Sequence, residues 1–192
     1  MSYSRKNFIG ILGGTFDPPH SGHLFISKYA KIKLDLKEIW WIVTYVNPLK
    51  KKNNDYKKRL NMTKKFLLNS NAKIYELDEP EKNFYTIDLL KSLSKKFPSK
   101  KFIWLTGIDN LDNFHLWKDW KKIFYNIPIA IFDRPSYSLN ITKSKALNYF
   151  KKKRIKNKLS RQFKYMKPPK WIFVNGFVHP QSSTKIRLGK FE

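Results

Sequence analysis

Short apolar runs and longer stretches of helical periodicity alternate along the chain. Phe8-Ile9-Gly10-Ile11-Leu12 is short and continuous, which predicts a buried strand over 8–12. Leu24, Phe25, Ile26, Tyr29 and Ala30 follow at helical spacing and predict a helix from about 20 to 33. Ile39-Trp40-Trp41-Ile42-Val43 predicts a second strand. Asp55 is a good N-cap for a helix to about 69, with Tyr56, Leu60 and Leu67 along its core face. Further strands are predicted at 72–77, 102–105, 127–132 and 171–174. Further helices are predicted at 87–97, capped by Thr86, and over the very basic stretch 142–166. This alternation argues for an α/β fold, a Rossmann-like parallel sheet with helices on both faces. No internal repeat and no Gly/Ser linker interrupts it, so residues 1–192 read as one domain.

Composition narrows the picture. A chain of 192 residues with 41% apolar and 16% aromatic residues can bury a sizeable core. No apolar run approaches the roughly 20 residues that span a bilayer. The first six residues lack the apolar core of a signal peptide. There is no cysteine, which excludes disulfides and thiolate metal sites and fits the cytoplasm. The formal charge of +26 raises two possibilities, nucleic-acid binding and attraction of anionic nucleotides. Only Arg5, Arg59, Arg134, Arg154, Arg161 and Arg187 are arginines, and the other 34 of the 40 basic residues are lysines. A dedicated nucleic-acid surface favours arginine for bidentate contacts. The charge therefore reads as a lysine-rich composition, with no specific nucleic-acid partner expected.

The candidate chemistry sits in Gly13-Gly14-Thr15-Phe16-Asp17-Pro18-Pro19-His20-Ser21-Gly22-His23, between the first strand and the first helix. Glycines let a backbone approach a bound group. A helix start offers N–H groups and a positive dipole end to phosphate. His20 and His23 are three apart and share a face there. Two imidazoles beside a phosphate cradle suggest phosphoryl or nucleotidyl transfer.

This stretch resembles the G-x-F-D-P-x-H-x-G-H signature of the nucleotidylyltransferase superfamily, and within it the bacterial nicotinate-nucleotide adenylyltransferases. The resemblance implies a Rossmann-like nucleotidyltransferase fold. It also implies the reaction of ATP with nicotinate mononucleotide to give nicotinate adenine dinucleotide and pyrophosphate. It gives His20 and His23 the role of contacting nucleotide phosphates, beside Gly13, Gly14, Thr15 and Phe16. Mg²⁺ is expected to arrive with ATP, because no cluster of carboxylates stands ready to bind it alone.

Other positions carry weaker signals. Lys50 lies in the loop after the second strand, where such folds bind ligands, and is either a phosphate contact or part of a solvated lysine run. Phe84-Tyr85-Thr86 resembles a family segment in which the threonine and nearby amides hold the nicotinate ring; Thr86 is also readable as a cap alone. Thr106-Gly107-Ile108-Asp109 followed by Trp117 resembles the family's G-x-D and tryptophan helix, which implies that Trp117 stacks on the pyridine ring. Trp120 and Phe124, at helical spacing from Trp117, read as core. Asp109 ends a strand and can orient substrate. Arg134, in Asp133-Arg134-Pro135, is a phosphate or adenylate contact or a turn residue. His115 and His179 read as structural. Ser182-Ser183-Thr184-Lys185-Ile186-Arg187 resembles the family's S-S/A-T-x-I-R, which implies that Ser183, Thr184 and Arg187 hold the triphosphate. Gln181 departs from the apolar residue usual before that motif. Alternatives remain: another acceptor, such as nicotinamide mononucleotide or phosphopantetheine, or a nucleic-acid-binding protein on the same scaffold. His20 stands where the phosphopantetheine enzymes usually carry threonine.

Overall fold

A computed structural model describes residues 8–49, 55–70, 72–83, 85–133 and 143–175. Its strands are β1 Phe8–Gly14, β2 Glu38–Val43, β3 Lys73–Ile74, β4 Lys101–Gly107, β5 Ile129–Phe132, β6 Arg154–Ile155 and β7 Trp171–Val174. Its helices are α1 Ser21–Lys33, α2 Tyr56–Leu67, α3 Thr86–Lys96, α4 Trp120–Asn126 and α5 Lys145–Tyr149. The strands form one sheet in the order β3-β2-β1-β4-β5-β7-β6. Every pairing is parallel.

A parallel sheet covered on both faces needs strands that are apolar on both sides. Side chains alternate faces accordingly. Ile9, Ile11, Trp40, Ile42, Trp104, Ile129 and Ile131 join α3 and α4 in one core layer. Phe8, Leu12, Trp41, Val43, Ile103, Leu105 and Phe132 join α1 in the other. Tyr56, Leu60 and Leu67 of α2 pack on that second layer, as their spacing predicts.

The direction in which successive strands are added reverses between β1 and β4, which are neighbours although three crossovers separate them. A crevice opens outside the carboxyl ends of strands at such a switch point. Gly14 and Gly107 end β1 and β4 there.

Several boundaries differ from those read in sequence. The strand expected at 72–77 shrinks to the two paired residues of β3. The fifth strand starts at Ile129. The helix expected over 142–166 breaks into α5, two-residue β6 and three short 3₁₀ turns at Lys151–Lys153, Asn157–Leu159 and Phe163–Tyr165. Lys151-Lys152-Lys153-Arg154 crowds like charges that disfavour a helix. Ile155 pairs instead with Ile172 at the sheet edge. Thr86 is the first residue of α3, not its cap; Tyr85 precedes the helix in extended conformation and gives no side-chain cap.

Candidate active site

A cleft of about 260 Å³ occupies the switch point. Gly13, Gly14, Thr15, Phe16, His20 and His23 line it from β1 and α1, Thr44 and Val46 to Leu49 from the end of β2, Tyr85 and Thr86 from α3, and Thr106, Gly107, Asp109, Trp117 and Lys118 from the segment after β4. Nine of the residues singled out in the sequence therefore share one cleft: Gly13, Gly14, Thr15, Phe16, His20, His23, Thr86, Asp109 and Trp117. Lys50, Arg134, Ser183, Thr184 and Arg187 lie outside the described residues, as does His179.

Glycine at 13 is required by packing. A Cβ there would meet Cη2 of the Trp104 indole at 2.3 Å. Phe16 has a left-handed φ of 47°. For a non-glycine residue that costs about 1–2 kcal/mol and persists only where packing enforces it. Here the ring is 2% exposed. It stacks on Trp41 at 4.7 Å and meets His23 edge-on at 4.9 Å.

The two histidines are adjacent at the start of α1, with ring centroids 3.7 Å apart. His20 is buried and His23 half-buried. The His20 backbone N–H donates to Nδ1 of His23 at 3.3 Å. An imidazole nitrogen that accepts carries no proton, so neutral His23 holds its proton on Nε2 and can donate from there. The His23 carbonyl accepts from Ser27 Oγ, which itself accepts from Trp41 Nε1 at 2.7 Å. The core thus fixes the helix turn that carries His23.

At the opposite wall, Trp117 follows the 3₁₀ turn Phe114–Leu116 instead of lying in a helix. The helix begins only at Trp120. The polar pair Asp112-Asn113 and the left-handed Asp119 divide this segment. One face of the Trp117 indole stacks on Phe114 at 4.6 Å, and its edge meets Trp104. A flat ring held in this way can stack a second ring from the cleft. Phe124 is fully buried and Trp120 packs against the same core. Asp109 sits in the turn Ile108–Asn110 directly after β4. Beside it, Asn110 Nδ2 donates to Thr106 Oγ1 at 3.1 Å. Thr86 and Ile87 open α3, whose first N–H groups have no intrahelical acceptor.

Two residues escaped the sequence reading. Lys118 lines the cleft with Nζ 4.5 Å from the Tyr85 ring centroid and 3.3 Å from Asp88 Oδ2. Arg59 stands behind the cleft, fully buried. It falls on the stripe Tyr56, Leu60, Thr63 and Leu67, and it is the one arginine among the lysines of α2, which is the signal that could have found it.

The model of the cytidylyltransferase-like family matches residues 11–189. The chain belongs to that family. It is 34% identical over 180 residues to the probable nicotinate-nucleotide adenylyltransferase of Ruegeria sp. (strain TM1040), covering 93% of this chain and 95% of the relative. It is 34% identical over 184 residues to that of Rhizobium meliloti (strain 1021), covering 95% and 98%. Among solved structures, Plasmodium falciparum nicotinic acid mononucleotide adenylyltransferase complexed with NaAD superposes with a TM-score of 0.67 at 21% identity, over 95% of this chain and 83% of that one. The same enzyme complexed with APC gives 0.62. At that identity the likeness concerns the fold. The shared fold is the parallel sheet with its helices described above.

Proposed function

We propose that this chain transfers the adenylyl group of ATP to nicotinate mononucleotide, giving nicotinate adenine dinucleotide and pyrophosphate. The observation that carries the reading is the pairing of His20 and His23 with Trp117 and the α3 start in one switch-point cleft. It agrees with the activity in the names of the relatives at 34% identity.

The chemistry is an in-line displacement. The 5′-phosphate of the mononucleotide attacks the α-phosphorus of ATP, the bond to the bridging oxygen breaks, and pyrophosphate leaves. Such transfer depends on positioning and on stabilising charge on the equatorial and leaving oxygens. His23 Nε2 donates to those oxygens, and His20 stands beside it. Trp117 stacks the pyridine ring. Ser183, Thr184 and Arg187 take the triphosphate in this reading, and Lys50 and Arg134 are further phosphate contacts. ATP enters as its magnesium complex. The phosphates themselves carry the ion in.

The acceptor is the acid and not the amide. A carboxylate is favoured at the start of α3, where N–H groups and the positive dipole end face it. Lys118 adds a cation on the same wall. No described helix is long and apolar enough to cross a membrane.

Pyrophosphate release from ATP, with the product identified by mass, tests the reaction. Release is expected with nicotinate mononucleotide and not with pantetheine phosphate. Failure with every acceptor, joined to nucleic-acid binding that persists at high salt, would favour a binding protein on this scaffold.

A further inference from the structure

Arg59 is not among the residues that line the cleft, yet its guanidinium joins two of the loops that build it. Nη1 donates to the carbonyls of Thr15 and Thr44, each at 2.8 Å, and Nη2 donates to the Tyr45 carbonyl at 2.5 Å. These carbonyls belong to the chain leaving β1 and the chain leaving β2. A further link, Thr44 N–H to the Gly14 carbonyl at 2.9 Å, ties the same strand ends. The side chain is fully buried. Burial pulls its pKa below the ordinary arginine value, and the Asp17 carboxylate pushes it back. A buried cation of this kind is costly, and a surface helix like α2 has no structural need of one. Lysine, abundant in the same helix, is a point charge without the planar fork that can face three carbonyls at once.

From this geometry we infer that Arg59 is a positioning residue for nucleotide binding; the inference rests on the adenylyl-transfer reading for the identity of the nucleotide. A trans peptide is planar, with its C=O and N–H on opposite sides. With the Thr15 carbonyl held by Arg59, the Phe16 N–H points away from Arg59, as a donor to a phosphate. The same grip holds Phe16 in its left-handed conformation against His23. It also sets the start of the 44–49 wall. Arg59 therefore fixes, before substrate arrives, the loop on one side of His23 and the loop facing it.

The full chain carrying Arg59→Lys or Arg59→Gln tests this against wild type. Thermal melts report the folded fraction, calorimetry reports ATP affinity, and steady-state kinetics separate kcat from KM. Folded variants are expected to bind ATP at least tenfold more weakly and to lose about 100-fold in kcat, the scale for misplaced reacting groups. Arg59→Lys should retain no more activity than Arg59→Gln, because charge without the fork is not enough. A folded variant with wild-type ATP affinity and kcat would overturn the inference. Hydrogen exchange on wild type needs no variant. The Thr44 amide, held by the Gly14 carbonyl, should be protected without substrate, and exchange there at free-loop rates would also overturn it. If wild type fails to adenylylate nicotinate mononucleotide, the proposed function falls, while ATP affinity and hydrogen exchange still decide the role of Arg59.

Discussion

Two long basic side chains are buried among the described residues, one at each end of the sheet: Arg59 at the carboxyl ends and Lys164 at the amino ends. They are held differently. Arg59 donates to three neutral carbonyls from two separate segments. Lys164 donates to one residue, reaching Asp35 Oδ2 at 2.5 Å and the Asp35 carbonyl at 3.0 Å, with the Phe8 and Tyr165 rings 5.6 and 5.1 Å away. Asp35 lies in the turn between α1 and β2, and its φ of 50° is left-handed. So Lys164 ties a late segment of the chain to an early turn, and nothing at that end lines the switch-point cleft. The contrast teaches where a buried charge serves the fold and where it serves the site. A point charge is enough to pin a turn. A fork is needed to orient several peptides around a ligand.

The largest effect that would sharpen this contrast belongs to His23. His23→Ala should raise the barrier to turnover by about 2–4 kcal/mol, the scale for one lost donor to transition-state charge. Its melting midpoint should stay near wild type. Turnover close to wild type in that variant would remove His23 from the chemistry. Next is Lys164→Met, which should lower stability by about 1–2 kcal/mol. That estimate takes a charged hydrogen bond and discounts it because the Asp35 carboxylate is 37% exposed. A shift of a few degrees in the melt is expected, with kcat per folded molecule unchanged. A loss of kcat without a loss of stability would erase the distinction between the two ends.

Trp117→Ala comes third. It should weaken nicotinate and nicotinamide mononucleotides alike, by about 0.5–1.5 kcal/mol of stacking, leaving ATP affinity intact. Unequal losses would show that the indole reads the carboxylate. The smallest effect is expected from Lys118→Ala. Its side chain is nearly half exposed and its charge is shared with Asp88, so the acid-over-amide ratio should fall only about two- to threefold. An unchanged ratio would leave recognition of the acid to the α3 start alone.

The parts of the molecule that could be read from sequence are those where packing writes a strong pattern. β1, β2, β7 and α1 follow apolar runs or helical stripes, and their boundaries shift by two residues or fewer. The His20–His23 pair was legible because spacing of three at a helix start leaves little choice of face. Trp117 lines the cleft, but not from a helix. Its spacing to Trp120 and Phe124 mimics a helix, but the chain turns through Phe114–Leu116 and starts the helix three residues later. The 142–166 stretch misled because periodicity alone does not register like-charge crowding at Lys151-Lys152-Lys153-Arg154. Arg59 was missed because a charged residue next to lysines reads as surface. Only the tertiary fold brings three carbonyls to its position on the inner stripe of α2.

The central claim is that the cleft adenylylates nicotinate mononucleotide at a pocket built for its carboxylate. The most direct test is kcat/KM of the wild-type chain for nicotinate and nicotinamide mononucleotides at saturating ATP. An amide NH₂ would face the α3 donors unpaired, at about 1–3 kcal/mol for each mismatched group. Selectivity for the acid of tenfold or more is therefore predicted. Equal efficiency with the two, or a preference for the amide, would contradict the account.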